Sequence, residues 1–172
     1  KDGDPGLGGN TITTAIADEI ILPLLNQNGV EISSDIDDME FDEDESGMTE
    51  DEYLYNMRVI REYIETLKEY FSDQEDTYIG EINIHQNEEI NAYDLTISKE
   101  QFENVIRPYV QTTVDITRRV VDKVRKSKRY VKKIIMAGGS SQLSLAEKML
   151  REEFEGEGID VILSDSVFDL IA

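Results

Sequence analysis

The 172-residue sequence contains no cysteine, no tryptophan and only one histidine, His85. The absence of cysteine excludes disulfide bonds and thiolate chemistry, and it suits a reducing compartment. A lone histidine has no second histidine or cysteine with which to form a site, so we expect His85 to be a surface residue in a turn. We predict no catalytic residue and no metal ligand in this chain.

Long hydrophobic runs and basic residues are also scarce. The sequence has no run of eighteen or more apolar residues and no signal peptide, so we expect a soluble, cytoplasmic protein without a membrane partner. Its 17 basic residues stand against 38 acidic ones, and the formal net charge is −21. Because phosphates would be repelled over most of such a surface, nucleic acid is not an expected partner.

The charge is distributed unevenly along the chain. Residues 31–52 hold twelve acidic residues and no lysine or arginine, whereas residues 104–133 hold ten of the seventeen basic residues. We interpret residues 28–48 as an acidic, mobile loop with a short strand at residues 30–32, and an acidic docking patch is the alternative. We interpret the basic stretch as a solvated helix face.

Hydrophobic periodicity predicts helices and two pairs of short strands. The predicted helices lie at residues 11–27, 49–71 and 98–127 and from Ser144 onward, and the predicted strands lie at 77–84 and 92–97, around a turn at 85–89, and at 131–137 and 159–163. Pro23 should kink or shorten the first helix near residues 19–22, and Pro108 should break or bend the third. The predicted buried face of the second helix comprises Leu54, Met57, Ile60, Ile64, Leu67 and Phe71. Capping boxes predict three of the helix starts: Thr49 with Glu52, Ser98 with Gln101, and Ser144 with Glu147.

The order of the elements predicts an α/β lobe with a mainly helical inserted subdomain that carries a small antiparallel sheet. The strands at 131–137 and 159–163 flank a helix and should pair in parallel. Two exposed parallel strands make a very small sheet, so we expect further strands outside residues 1–172 or an uncovered sheet edge.

A diglycine turn is the first candidate site. Gly138 and Gly139 follow an apolar strand and precede a helix. Glycine lets a ligand approach bare backbone, and the free N–H groups of a helix start favour acceptor atoms, so the turn could face a nucleotide. A plain tight connection explains the same pattern, and neither Gly-x-Gly-x-x-Gly nor Gly-x-x-x-x-Gly-Lys-Ser/Thr occurs.

Glu65 and Lys68 are the second candidate pair. They lie three residues apart on the predicted helix at 49–71. Taken alone, this spacing is explained by an ion pair on a helix face, worth a few tenths of a kcal/mol.

Three segments carry a resemblance to a known family. They are Gly3-Asp4-Pro5-Gly6-Leu7-Gly8-Gly9, the Leu-Thr-Ile-Ser-Lys-Glu-Gln-Phe-Glu sequence at residues 95–103, and residues 134–145 around the diglycine turn. They resemble, in this order, the hinge, strand-to-helix and adenosine-turn segments of the seventy-kilodalton heat-shock chaperones. This DnaK-like family belongs to the actin superfamily, so the resemblance implies an actin-like ATPase lobe, the second of the nucleotide-binding domain.

The resemblance implies a site for ATP or ADP. Glu65, Lys68 and Ser72 match the family's helix residues that face the adenine and ribose. Positions in the turn and after the last strand match other nucleoside-contacting positions of the family: Gly138, Gly139, Ser140, Gln142 and Asp165.

Two departures from the family pattern affect this site. Glu69 and Gln142 stand where the family has two arginines that sandwich the adenine. Glutamate cannot stack on a base as arginine does, and it adds negative charge beside an anionic ligand. We therefore expect weakened adenosine binding, in a site that is vestigial or tuned to another nucleoside.

The family's phosphate chemistry is not expected in this segment. Its phosphate loops, Mg-positioning aspartates and catalytic lysine would precede Lys1, and its peptide-binding domain would follow Ala172. Phosphoryl transfer depends on positioning and electrostatics around the phosphates and Mg²⁺, so we expect no ATPase activity from this chain alone, although its parent would be an ATPase.

The resemblance also implies a biological setting. It implies a chaperone that acts in protein folding and the stress response, with Mg²⁺ used only in the complete domain. The implied partners are a nucleotide-exchange factor, cochaperones, and unfolded polypeptide bound through a domain not present here.

We expect four parts along the chain. They are a hinge loop with the first helix (1–27), the acidic loop (28–48), a helical subdomain with a β-hairpin (49–103), and a long helix with the strand-helix-strand unit of the adenosine turn (104–172). The predicted function is a lobe that contributes the adenosine side of the nucleotide site and a hinge for nucleotide exchange. The alternatives are a protein-interaction module that has lost nucleotide binding and another actin-superfamily member, such as a filament or cell-shape protein.

Overall fold

The computed structural model describes residues 9–32, 48–138 and 143–164. The elements in order are α1 (Gly9–Ile16), a π-helical turn (Ala17–Ile21), α2 (Leu22–Gln27), α3 (Glu50–Asp73), β1 (Tyr78–Gln86), β2 (Glu89–Ile97), α4 (Lys99–Lys126), β3 (Lys133–Met136), α5 (Ser144–Phe154), a 3-10 turn (Glu155–Glu157) and β4 (Asp160–Leu163). Asn10–Val105 form one compact unit, and the described residues from Ile106 onward form a second. The four-part division expected from the sequence stays a prediction.

The first helical stretch contains a wide turn at Ala17–Ile21, close to residues 19–22, where the sequence predicted a kink or a shortened helix. Pro23 has no N–H to donate to the carbonyl of Glu19, so the regular hydrogen-bond pattern cannot continue there. The N–H of Leu22 instead donates to the carbonyl of Ala17, five residues back, which is the π-helical spacing. The predicted disturbance is confirmed, but it takes the form of a π turn that begins at Ala17.

Helix α2 ends in a Schellman motif, and the strand predicted at residues 30–32 does not form. Gly29 has a φ of 81°, its N–H donates to the carbonyl of Asn26, and the N–H of Val30 donates to the carbonyl of Leu25. Val30 is buried because it closes this helix end. The rest of the acidic loop, residues 33–47, lies outside the described residues, so its mobility and docking role stay predictions.

Helix α3 begins with the predicted capping box. The Thr49 hydroxyl accepts a hydrogen bond from the N–H of Glu52, and the Glu52 carboxylate accepts one from the N–H of Thr49. The buried face includes five of the six residues predicted for it: Met57, Ile60, Ile64, Leu67 and Phe71. The prediction for Leu54 is wrong, because the face passes through Tyr53, four residues before Met57, and leaves Leu54 exposed.

Strands β1 and β2 form an antiparallel hairpin that packs on α3. Tyr78 lies opposite Ile97, and Gln86 lies opposite Glu89. The turn contains only two residues, Asn87 and Glu88, so the predicted five-residue turn was too long. Both turn residues have positive φ angles, 55° and 64°, as the tight hairpin turns that match strand twist require.

Helix α4 starts at the predicted cap and continues without interruption past Pro108. The Ser98 N–H donates to the side chain of Gln101, and the Ser98 hydroxyl accepts from the N–H of Gln101. The helix is therefore not broken at Pro108, and the alternative of a bend there stays a prediction. Proline removes one hydrogen bond, to the carbonyl of Asn104, and because Asn104 is exposed, water can replace that bond.

The second unit contains a two-stranded parallel sheet covered by α5. Lys133 lies opposite Asp160 and Met136 opposite Leu163, which confirms the predicted parallel pairing. Within the described residues, this sheet has no third strand, and the expectation of further strands stays a prediction.

Helix α5 starts at Ser144, as predicted, but without the predicted capping box. The residue at the cap position is Leu143. The Glu147 carboxylate accepts hydrogen bonds from the Arg151 guanidinium instead, at 2.7 and 2.8 Å. An ion pair one turn ahead therefore replaces the predicted bond back to the cap.

No helix in the described part of the chain has both the length and the apolar character needed to cross a membrane.

Candidate functional site

Lys68 lies at the centre of a small polar cluster between α1 and α3. Its ammonium donates to Thr13 Oγ1 at 2.6 Å and to Glu65 Oε1 at 2.7 Å. The Thr13 hydroxyl donates to the same Glu65 oxygen at 3.2 Å, which closes a triangle of hydrogen bonds. We call Thr13, Glu65 and Lys68 the Lys68 cluster.

The burial of the Lys68 cluster distinguishes it from an ordinary surface ion pair. The side chain of Lys68 is 14% exposed, and Thr13 is 6% exposed. Exposed helix pairs contribute only a few tenths of a kcal/mol because water and mobility compete with them. Here a third, buried partner restricts the lysine, so the position of its ammonium is well defined.

The cluster can offer both a donor and an acceptor to a ligand. An ammonium has three N–H groups, and two of them are directed at Thr13 and Glu65. The Glu65 side chain is 60% exposed, so its carboxylate remains accessible from solvent. A donor and an acceptor side by side suit a neutral polar group such as a sugar hydroxyl.

Ser72 and Glu69 continue the same face of α3. They lie seven and four residues after Glu65, the spacings that place side chains on one side of a helix. The Ser72 hydroxyl donates to the carbonyl of Glu69 at 2.7 Å, and the Glu69 side chain is exposed. This face therefore carries two carboxylates and one ammonium.

The other predicted site residues belong to the second unit or lie outside the described residues. Gly138 is exposed and has a φ of 101°, a conformation that favours glycine. Among the described residues, none lies within 4 Å of the place where a side chain at position 138 would begin, so the positive φ of Gly138 is the observed reason for glycine there. Four predicted residues lie outside the described ranges: Gly139, Ser140, Gln142 and Asp165. A common site for all eight residues stays a prediction.

Thr13 was not among the residues predicted from the sequence. The only signal was a polar side chain next to Ile12 within the apolar pattern of the first helix. A buried hydroxyl needs a hydrogen-bond partner, but the sequence does not show that the partners lie 52 and 55 residues away.

A second polar cluster joins the start of α3 to the hairpin and includes His85. The prediction that His85 is a surface turn residue is wrong, because it lies in β1 and is half-buried, with Nε2 3.9 Å from Glu52 Oε1. The buried Glu52 carboxylate also accepts a hydrogen bond from the N–H of Glu88 at 2.8 Å. The hydrogen bonds from the backbone N–H groups of Glu88 and Thr49 hold the pKa of the Glu52 carboxyl below its usual value.

Acidification is expected to weaken the fold through Glu52. Because its folded-state pKa is lowered, the carboxylate contributes stability above its usual pKa of 4.5, and that contribution is lost as the pH falls through the lowered pKa. Glu52→Gln should therefore be less stable than the unsubstituted chain at neutral pH, and the difference should shrink under acid. Urea unfolding of both chains between about pH 7 and pH 3 measures this.

A matched variant separates this effect from the general loss of charge. Glu69→Gln removes an exposed carboxylate from the same helix and should produce a much smaller pH-dependent difference. If the Glu52→Gln difference did not change with pH, the Glu52 carboxylate would not be the group responsible.

Part of the basic stretch is held against α5 in the second unit. The Arg118 guanidinium donates to Glu153 and Glu157 at 2.7 Å and lies 4.3 Å from the centre of the Phe154 ring. Hydrogen bonds from Arg125 and Arg118 lower the pKa of the Glu157 carboxyl. The interpretation of a solvated basic face is therefore wrong for these two arginines, which stabilise the contact between α4 and the end of α5.

No group of three or more potential metal ligands lies together within residues 9–32, 48–138 and 143–164.

Comparison with known proteins decides the family. The model of the Hsp70 protein family matches residues 2–169. This chain belongs to the Hsp70 family. Its mixture of helices and strands with a small antiparallel sheet is compatible with a piece of an Hsp70 ATPase domain, and the resemblance seen in the three sequence segments is confirmed.

One curated relative matches part of this Hsp70-family chain. Over 102 residues, which are 59% of its length, this chain is 24% identical to the chaperone protein HscA homolog of Acinetobacter baylyi. The matched stretch covers 15% of that relative. The chain therefore corresponds to a small part of the relative's length.

Proposed function

We propose that this chain is the second lobe of an Hsp70-type ATPase domain, with an actin-like fold, and that it supplies the adenosine side of an ATP or ADP site. The observation that carries the proposal is the Lys68 ammonium, held by Glu65 and Thr13 on the face of α3 that also bears Ser72. The family match supports a nucleotide role for this face. The other residues that the resemblance implies for nucleoside contact stay predictions: Gly138, Gly139, Ser140, Gln142 and Asp165.

The chemistry of this face matches a nucleoside better than a phosphate. Lys68 would donate to a ribose or base acceptor, and the Glu65 carboxylate would accept from a hydroxyl or amino group. The two carboxylates of Glu65 and Glu69 outnumber the single ammonium, so they would oppose phosphate groups placed beside them. We therefore expect adenosine to bind at least as tightly as ADP to this chain.

The missing arginines limit the expected affinity. Glu69 stands where the family stacks a guanidinium on the adenine, so the aromatic face of the base loses one favourable contact. Hydrogen bonds without stacking give modest binding, with a Kd on the order of 1 mM, which corresponds to about −4 kcal/mol.

In the complete chaperone, this lobe would move about the hinge segment Gly3–Gly9 to release nucleotide. A nucleotide-exchange factor would dock on the helical part that carries the hairpin. Cochaperones and unfolded polypeptide would engage other parts of the parent protein, and Mg²⁺ would bind with the phosphates in the complete domain.

Lys68→Ala is expected to abolish measurable nucleoside binding. Removal of a charged hydrogen-bond donor from a ligand typically lowers affinity by about tenfold to a hundredfold, which moves a millimolar Kd beyond detection. Calorimetric titration of the chain with adenosine, and separately with ADP, measures this. Lys148→Ala removes an exposed lysine from α5 and should leave the binding heat unchanged.

The same titration distinguishes a second function. Glu69, exposed on the face that should stack the base, favours a protein-interaction module that keeps the fold and has lost nucleotide binding. Absence of heat from the unsubstituted chain at millimolar adenosine and ADP would support the interaction module and contradict the nucleotide lobe. Equal binding by Lys68→Ala would contradict the assigned site.

A further inference from the structure

We infer that Thr13 is a positioning residue for the nucleoside site and acts by fixing the direction of the Lys68 ammonium. This inference rests on the proposed function, because it assumes that Lys68 contacts a ligand. Thr13 comes from α1, and it was not among the residues carried over from the family resemblance.

The hydrogen-bond directions in the Lys68 cluster are determined by the groups themselves. An ammonium can only donate, so the 2.6 Å contact makes the Thr13 oxygen an acceptor from Lys68. A carboxylate can only accept, so the 3.2 Å contact makes the same hydroxyl a donor to Glu65. Thr13 therefore accepts from the lysine and donates to the glutamate through one hydroxyl oxygen, and a valine at this position could do neither.

Removal of the hydroxyl should leave the lysine less restricted. Lys68 would keep one acceptor, the Glu65 carboxylate, which is itself 60% exposed and therefore weakly held. A lysine side chain has four rotatable bonds and loses considerable rotamer entropy when it is fixed. Without Thr13, the ligand would have to fix the ammonium itself, and the affinity would fall by that cost.

Because Thr13 is buried, we do not expect its side chain to contact the ligand directly. Thr13 is 6% exposed, and its hydroxyl is already engaged by two side chains. If Thr13 acts through Lys68, adenosine affinity should depend on whether residue 13 has a hydroxyl group. It should not depend on how stable each variant is.

Substitutions at position 13 separate an effect of the hydroxyl group on affinity from an effect of the side chain on stability. Thr13→Val keeps the branched shape and removes the hydroxyl, whereas Thr13→Ser keeps the hydroxyl and removes a methyl group. We expect Thr13→Val to weaken adenosine binding about fivefold and Thr13→Ser to bind within about twofold of the unsubstituted chain. Binding is measured by calorimetric or NMR titration of the 172-residue chain with adenosine, and stability by urea unfolding of the same samples.

The valine variant keeps the shape and the serine variant keeps the hydroxyl, so a structural role and a positioning role predict opposite results. If Thr13 were merely structural, affinity would follow stability, and the serine variant, which loses buried apolar surface, would be impaired. If Thr13→Val does not fold, the comparison of Thr13→Ser with Thr13→Ala replaces it, because those two side chains also differ by one hydroxyl. Unchanged adenosine binding by Thr13→Val, or by Thr13→Ala in that second comparison, would overturn this inference and leave the proposed function in place. Absence of adenosine binding by the unsubstituted chain would overturn both.

Discussion

Phe71→Ala is expected to lower the free energy of unfolding by about 3–5 kcal/mol, the largest effect of any single change considered for this chain. Phe71 is buried in the last turns of α3, and its ring centre lies 4.9 Å from that of the buried Phe102 at the start of α4. The alanine variant loses the favourable free energy of moving the ring from water into the core. It also contains a cavity that the neighbouring Phe102 can fill only in part. Because small domains have only about 5–15 kcal/mol of stability, this loss could consume most of it.

Urea unfolding followed by circular dichroism measures this loss, and the chain offers a clear control. Tyr130 is 88% exposed, so Tyr130→Ala should change the stability by no more than about 0.5 kcal/mol. A Phe71→Ala effect as small as that of the control would show that α3 and the start of α4 are not joined through these rings.

Asn56→Ala is expected to lower the free energy of unfolding by about 2–4 kcal/mol, although the change removes few atoms. Asn56 is fully buried on α3, its Oδ1 accepts from the N–H of His85 at 2.8 Å, and its Nδ2 donates to the carbonyl of His85 at 2.8 Å. One amide side chain thus satisfies both backbone groups of a residue in β1. Alanine would take this partner from the part-buried N–H and C=O of His85, and each group carries its own desolvation cost.

The matched control for this variant is Asn83→Ala. Asn83 lies two residues earlier on the same strand, but its side chain is exposed, so its loss should have little effect on stability. Amide hydrogen exchange adds a local readout, because the His85 N–H should exchange faster in Asn56→Ala. Equal stability of the two variants would mean that water replaces the amide at His85.

The parts of this fold that follow from nearby residues could be predicted from the sequence. The start of α3 depends on Thr49 and Glu52, three residues apart, and both predicted hydrogen bonds form. The parallel pairing of β3 and β4 follows from chain connectivity and the handedness of strand-helix-strand units.

The hairpin turn could not be predicted at its true length. Asn87 and Glu88 lack the glycine that usually marks a two-residue turn, and Glu88 still adopts a left-handed conformation. Its N–H is bound by Glu52, 36 residues away, so the support for the turn comes from tertiary contact. The capping box predicted at Ser144 fails for a local reason, since Glu147 binds Arg151 one turn later in the same helix.

In the candidate site too, the contact between nearby residues could be predicted and the contact between distant residues could not. The spacing of Glu65 and Lys68 on one helix predicted their contact, which forms at 2.7 Å. The contribution of Thr13 depends on how α1 packs against α3, and hydrophobic periodicity predicts which faces are buried without predicting which polar groups meet. The nucleotide role of these residues came from the family resemblance, since helix spacing alone is equally explained by an ion pair.

The position of Glu52 determines how this corner of the molecule can open. One oxygen of its carboxylate binds the first turn of α3, and the other binds the tip of the hairpin. Fraying of the helix start, which moves Glu52, therefore also breaks the hydrogen bond to the N–H of Glu88 at the hairpin tip. These two elements are distant in sequence, and through Glu52 a loosening of one weakens a contact of the other.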